Sequence, residues 1–227
     1  MTNEIKKRGK EEVFGRLFTV YDFPEIDFRY GASKNALIAA FPAAPPCELG
    51  TIPLYHFPSN RYDHFAYVVA KWHKPKTLPL ALALFDQHSD AGMFYDAEMD
   101  RYVNTEWIDS GSWVAHLIYE KILANSVWFH GMAHLKYAET ITDLYADPIG
   151  ESSRNLTELV ERNLPSEAFI SHYDPDFLSA FCDIKLHEAR KTISLTVRNP
   201  NLVAFSIGEQ SDKFYRPTIS QRLFPFI

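Results

Sequence analysis

The chain carries only two cysteines, Cys47 and Cys182, in 227 residues. That is far too few for a disulfide framework. Neither belongs to a Cys-x-x-Cys pair or has a nucleophile-like setting, so both read as buried or incidental thiols. Positive charge is also scarce. There are 23 Lys and Arg against 29 Asp and Glu, a formal net charge of −6, and this excludes the electrostatic footprint of a nucleic-acid binder. The one basic cluster, Lys6-Lys7-Arg8-Gly9-Lys10, is followed at once by Glu11 and Glu12 and reads as a solvated terminus. No apolar run approaches the ~20 residues needed to cross a bilayer, and the longest, Leu78 to Phe85, contains a proline. The start of the chain, Met-Thr-Asn-Glu-Ile-Lys-Lys, lacks the apolar stretch of a signal peptide, so a soluble cytoplasmic protein is expected. Internal repeats and low-complexity tracts are absent.

Apolar and aromatic residues are plentiful. They make up 46% and 15% of the chain, enough for a substantial core and against disorder. A chain of this length fits one large domain spanning 1–227, able to bury roughly 70% of the surface its unfolded form exposes without any staple. The segment Phe41 to Gly50 holds three prolines and reads as a loop. Elsewhere short apolar runs alternate with helical patterns. Strands are predicted at Leu17 to Tyr21, Pro79 to Phe85, Ser126 to Phe129, Ala168 to Ser171 and Leu202 to Ile207. Helices are predicted at Tyr62 to Trp72, Ser112 to Leu123, Leu156 to Arg162 and Phe181 to Lys191. The run Pro79 to Phe85 shows no polar alternation, as suits a strand covered on both faces. The order implies an α/β fold, three layers with a mainly parallel sheet at the centre.

In such folds ligands collect beyond the carboxyl ends of the strands. Two of the predicted strands run directly into potential metal ligands: Asp86-Gln-His88-Ser-Asp90 and Ser171-His172-Tyr-Asp174-Pro-Asp176. Alternate residues of an extended segment point the same way, so Asp86, His88 and Asp90 can converge, as can Asp174 and Asp176. Four carboxylates gathered at a buried sheet edge repel one another unless cations lie between them. Carboxylates with one or two imidazoles suit Mn²⁺, and less selectively Fe²⁺ or Zn²⁺.

These clusters resemble the motifs of the arginase/agmatinase (ureohydrolase) family, whose fold is shared with deacetylase-like enzymes. That family carries Gly-Gly-Asp-His-Ser, then Asp-Ala-His-x-Asp at a strand end, then Ser-x-Asp-x-Asp, and its six ligands hold two Mn²⁺ ions. The first motif is similar to Arg61-Tyr-Asp63-His64-Phe65, where Arg61-Tyr62 stands in place of Gly-Gly. The resemblance implies His64, Asp86, His88, Asp90, Asp174 and Asp176 as ligands. A nearer likeness is to the UPF0489 branch of the superfamily, through Asp86-x-His88-x-Asp90, Ser110-Gly-Ser-Trp113 and Val127-Trp-Phe-His130. Two residues beyond the last predicted strand stands Glu209, which matches a family glutamate that contacts a substrate guanidinium.

The resemblance implies a two-metal hydrolase of linear C–N bonds, amidine or amide, acting on a small-molecule substrate. Two ions sharing carboxylate bridges lower the pKa of a water between them. Asp90 then serves as proton acceptor and His130 as shuttle or transition-state donor. Two other readings remain open: a single-zinc deacetylase using Asp86, His88 and Asp174 or Asp176, and a non-catalytic protein that keeps a metal for binding or regulation. No membrane or nucleic-acid partner is expected, and homo-oligomerisation is left open. Substrate choice is expected to lie in loops such as Met93 to Ile108.

Overall fold

The computed structural model describes residues 4–76, 78–92, 95–96, 101–102, 106–132, 135–141, 151–178 and 184–209. In chain order the strands are β1 (Lys6–Val13), β2 (Arg16–Asp22), β3 (Ala32–Ser33), β4 (Ile52–Phe57), β5 (Ala81–Phe85), β6 (Tyr95–Asp96), β7 (Arg101–Tyr102), β8 (Trp107–Ile108), β9 (Val127–Met132), β10 (Leu135–Thr140), β11 (Glu151–Ser153), β12 (Phe169–Tyr173) and β13 (Leu202–Gly208). The helices are α1 (Lys34–Ala40), α2 (Phe65–His73), α3 (Trp113–Tyr119), α4 (Leu156–Asn163) and α5 (Leu186–Arg198).

Nine strands form one sheet in the order β1-β2-β4-β13-β12-β5-β9-β10-β11. The six from β2 to β9 run parallel, while β1, β10 and β11 pair antiparallel at the edges. Strand alternation sorts the core into two layers. Leu82, Leu84, Ile170, Tyr55 and Phe57 face α1, α2 and α3, whereas Ala81, Ala83, Phe85, Phe169 and Phe205 face α4 and α5. The result is a three-layer αβα arrangement. Every residue of β5 is buried, as its unbroken apolar run implies. Phe85 stacks on Phe129 (4.9 Å between centroids) and meets Phe177 edge-on (5.6 Å).

Local chemistry explains the helix limits. Pro75 follows Lys74, the C-cap of α2, and disfavours helical backbone in the residue before it. Asn155 caps α4 by accepting from the amides of Thr157 and Glu158. Along α5, Ala189, Thr192, Ile193, Thr196 and Val197 form one buried stripe at helical spacing.

Several expectations are revised. The basic cluster at residues 6–10 belongs to edge strand β1: Lys7 and Lys10 pair with Glu48, and Arg8 pairs with Asp22. Charged outward side chains suit a sheet edge, and they conceal the strand pattern from a hydropathy reading. Strand β4 is unexpected from the sequence because Pro53 sits at its second position. The helix expected at 112–123 stops at Tyr119, and the chain turns through Lys121 (φ 55°) so that Leu123 can bridge to Leu80. The helix expected at 181–191 runs instead from Leu186 to Arg198, two residues before Pro200. Residues 41–51 form a loop, and Cys47 within it is exposed rather than buried. Cys182 and much of the 93–108 loop lie outside the described residues.

Candidate metal centre

Three segments meet at the carboxyl edge of the parallel strands: the turn between β4 and α2, the loop after β5, and the loop after β12. The Asp174 amide donates to Phe85 O (2.9 Å), and Trp128 Nε1 on β9 donates to Asp86 O (3.0 Å), which fixes the two loops against each other. Between them lies a cavity of about 580 Å³, with Asp63, His88, Asp90, Asp174 and Asp176 in its walls.

Backbone amides and neighbouring side chains hold the carboxylates in place. The His88 amide donates to Asp86 Oδ1 (2.8 Å), the Gln87 amide to Asp176 Oδ1 (3.1 Å) and the Asp176 amide to Asp174 Oδ1 (2.9 Å). Asp90 adopts a left-handed backbone (φ 51°), a conformation Asp tolerates better than most residues. Its Oδ2 accepts from the buried Trp113 Nε1 at 2.7 Å. The helix that supplies Trp113 therefore aims a loop carboxylate.

The cluster is electrostatically continuous, with Asp86 and Asp90 in contact, and it has two ends. Asp86, His88 and Asp176 form a triad whose ligand atoms all lie within 4.8 Å of one another. His88 Nδ1 is 3.0 Å from Asp176 Oδ2 and 3.7 Å from Asp86 Oδ1, and these bonds push its pKa up to about 11. Burial raises Asp176, but hydrogen bonds from His88, Asp86 and the Gln87 amide outweigh it and leave the carboxyl below its usual value. At the second end, Asp63 and Asp174 face each other closely enough to share a proton, with Asp90 beside them. Burial, and then the charges of their neighbours, hold Asp63, Asp86, Asp90 and Asp174 well above the ordinary carboxyl range.

His172 completes this second end. His172 Nδ1 is hydrogen-bonded to Ser206 Oγ (2.9 Å), which turns the ring so that Nε2 faces Asp63. His172 Nε2 and Asp63 Oδ1 are fully buried, 3.3 Å apart, and neither has a hydrogen-bond partner. Burial lowers the His172 pKa to about 4, so the ring is neutral. Two buried, unpartnered ligand atoms facing each other in this way suit a shared cation. The donor set as a whole, hard oxygens with one or two imidazoles, fits a divalent ion of the Mn²⁺ type.

Of the residues singled out in the sequence, Asp86, His88, Asp90, Asp174 and Asp176 come together. His64 does not join them. Successive residues at a helix start point about 100° apart, and here Asp63 faces the cavity while His64 packs on Phe65 (5.0 Å) and Tyr62 (6.2 Å). His130 is stacked between Trp128 (3.8 Å) and Tyr137 (5.1 Å), and its Nε2 meets Glu139 at 2.8 Å. It does not line the cavity, whereas Trp128 of the same strand does. Glu209 is half-exposed at the end of β13, with His56 Nε2 3.8 Å away, and also lies outside the cavity wall. Asp63 and His172 were missed. The signals were present, since Asp63 adjoins His64 and His172 stands two residues before Asp174 on the same strand face.

No protein-family model and no curated protein matches this sequence. Among solved structures, a hypothetical agmatinase from Burkholderia thailandensis matches with a TM-score of 0.51 at 15% identity, over 76% of this chain and 56% of that one. Formimidoylglutamase from Bacillus subtilis subsp. subtilis str. 168 matches with a TM-score of 0.48 at 12% identity, over 83% of this chain and 60% of that one. The chain thus spans less than two thirds of the length of either protein. The likeness to the agmatinase is one of fold: this chain has the mainly parallel sheet and flanking helices of that α/β architecture.

Proposed function

We propose that this chain is a metal-dependent hydrolase of linear C–N bonds, amidine or amide, with two divalent ions, Mn²⁺ foremost, held in the carboxylate cluster. The observation that carries this reading is the gathering of four buried Asp side chains, Asp63, Asp90, Asp174 and Asp176, around one cavity, with the buried Asp86 beside them. Asp86, His88 and Asp176 hold one ion, and Asp63, Asp90 and Asp174, supported by His172, hold the other. Divalent ions bound there supply Lewis acidity and lower the pKa of a water molecule. The likeness to an agmatinase supports the choice of C–N bond as substrate class.

The protein's own groups have separate tasks. Trp113 fixes Asp90 through Oδ2, leaving Oδ1 to take up a proton and return it to the leaving amine. His172 Nε2 lies 3.3 Å behind Asp63 Oδ1. Trp128, Ser110 and Gly111 shape the cavity, and Arg61 stands at its wall as a charged contact for substrate. His130 and Glu209 keep supporting positions outside it.

A second reading rests on the triad. Asp86, His88 and Asp176 alone place three donor atoms within 4.8 Å, which suits a single-zinc deacetylase. Metal analysis of purified chain decides between the two: two ions per chain supports the first reading and one supports the second. Ammonia or urea release across guanidino, formimino and acyl-amine compounds then tests turnover. Two bound ions with no turnover of any of them would overturn the hydrolase assignment.

A further inference from the structure

Over the α4/α5 face of the sheet, away from the carboxylate cluster, lies a second cavity of about 610 Å³. Its lining carries four cationic side chains, Lys136, Arg154, Lys185 and Lys191, against one carboxylate, Glu188. In a chain of net charge −6 this is a local reversal of sign. The floor is built rather than incidental. Lys136, 6% exposed, donates from Nζ to Arg154 O (3.1 Å) and lies 3.6 Å from Glu188 Oε2. The other oxygen of Glu188 accepts from the Leu156 amide (2.8 Å), so β10, α4 and α5 are tied at this point.

Glu188 is thereby committed to Lys136 and α4. Among the described residues no carboxylate pairs with Arg154, Lys185 or Lys191. The 13-residue helix α5 also begins here: Lys185 is its N-cap and makes no side-chain capping bond, and Lys185, His187 and Glu188 at this positive end of the helix dipole line the cavity. The first amides of α4 are already taken by Asn155 and Glu188 and add nothing.

We propose that this cavity binds a small phosphate-bearing anion. Three cations that no carboxylate among the described residues pairs with match the two to three negative charges of a phosphate or diphosphate group, and the Arg154 guanidinium offers the planar fork that such groups accept. The volume exceeds that of phosphate alone and lies within the usual range for small-molecule sites, leaving room for an attached organic part. Among the described residues no Phe, Tyr or Trp lines the cavity; its one ring is the imidazole of His187. This site is independent of the metal-centre reading.

The test is calorimetric titration of the full metal-free chain with inorganic pyrophosphate at fixed ionic strength. Saturable binding of one anion per chain is expected. Replacing Lys185 and Lys191 together by Ala removes two exposed charges without touching the core and is expected to raise Kd roughly tenfold or more. Lys76→Ala, an exposed cation elsewhere, leaves Kd unchanged. Asp174→Asn also leaves it unchanged, which separates this cavity from the carboxylate cluster. Non-saturable binding, an equal loss in Lys76→Ala, or loss of binding in Asp174→Asn overturns the proposal.

Discussion

Replacing Asp174 by Asn is expected to stabilise the metal-free protein while removing its response to metal. Asp174 is fully buried among Asp63, Asp86 and Asp176, and their charges add to burial in raising its pKa. Two carboxylates about 5 Å apart at an effective dielectric near 20 repel by about 3 kcal/mol. Burial keeps part of this set protonated near neutral pH, so the relief from removing one charge is smaller, on the order of 1–3 kcal/mol. Asn preserves the Oδ1 that accepts the Asp176 amide, so the loop keeps its bond. At about 2–4 °C per kcal/mol for a chain of this size, the metal-free melting temperature should rise by roughly 2–12 °C.

The sign with pH follows from the same shifts. The folded carboxyls of Asp63, Asp86, Asp90 and Asp174 titrate above their unfolded counterparts, so the folded chain binds more protons. Metal-free stability is therefore greatest below the unfolded carboxyl pKa and falls as pH rises through the raised folded values. Asp174→Asn should flatten that fall. Saturating Mn²⁺, at about a hundred times Kd, adds about 2.7 kcal/mol to the wild type, or roughly 5–11 °C; the variant should gain less than half of that. Differential scanning calorimetry with and without Mn²⁺, at pH 5.5 and 8, reads all of these quantities. A variant that melts lower than wild type without metal and keeps the full Mn²⁺ response would refute the electrostatic account of the cluster.

Other consequences can be checked separately. Metal binding at Nδ1 of His88 must displace a proton held up to about 11, so the calorimetric heat of Mn²⁺ binding near pH 7 should vary with the ionisation enthalpy of the buffer, and a buffer-independent heat would remove His88 from the ligand set. Trp113→Phe keeps the packing but deletes the bond to Asp90, and should weaken metal binding by about 10–100-fold with the urea midpoint little changed. His172→Phe leaves Asp63 without its buried neighbour and should lower the metal count per chain below that of wild type, measured by elemental analysis. Phe85→Ala opens a void between Phe129 and Phe177 and should cost about 3–5 kcal/mol in urea unfolding, with metal binding lost only as the fold is lost.

Much of this molecule was legible from its residues alone. The all-apolar run ending at Phe85 had to be a strand covered on both faces, because no polar alternation offers a solvent side. Acidic residues directly after it, and again after Phe169 to Tyr173, had to lie at one edge of a parallel sheet. Local pattern therefore gave five strands of the nine-stranded sheet, and the structure brings five of the six expected ligands to one place.

What local pattern does not carry is direction. Asp63 and His64 are neighbours in sequence, and only the docking of α2 onto β4 and β12 decided that the carboxylate faces the cavity and the imidazole faces Phe65 and Tyr62. His172 has the spacing of a ligand, yet its role depends on Ser206 from a different strand, which orients the ring. His130 sits on the expected strand, but β10 pairs beside it and Glu139 occupies its free nitrogen. The basic segment at residues 6–10 reads as solvated until Glu48 and Asp22 are brought against it. In each case the deciding contact comes from a residue distant in sequence. Composition and periodicity specify which elements form; which way a side chain points at their junctions is set only when the elements pack.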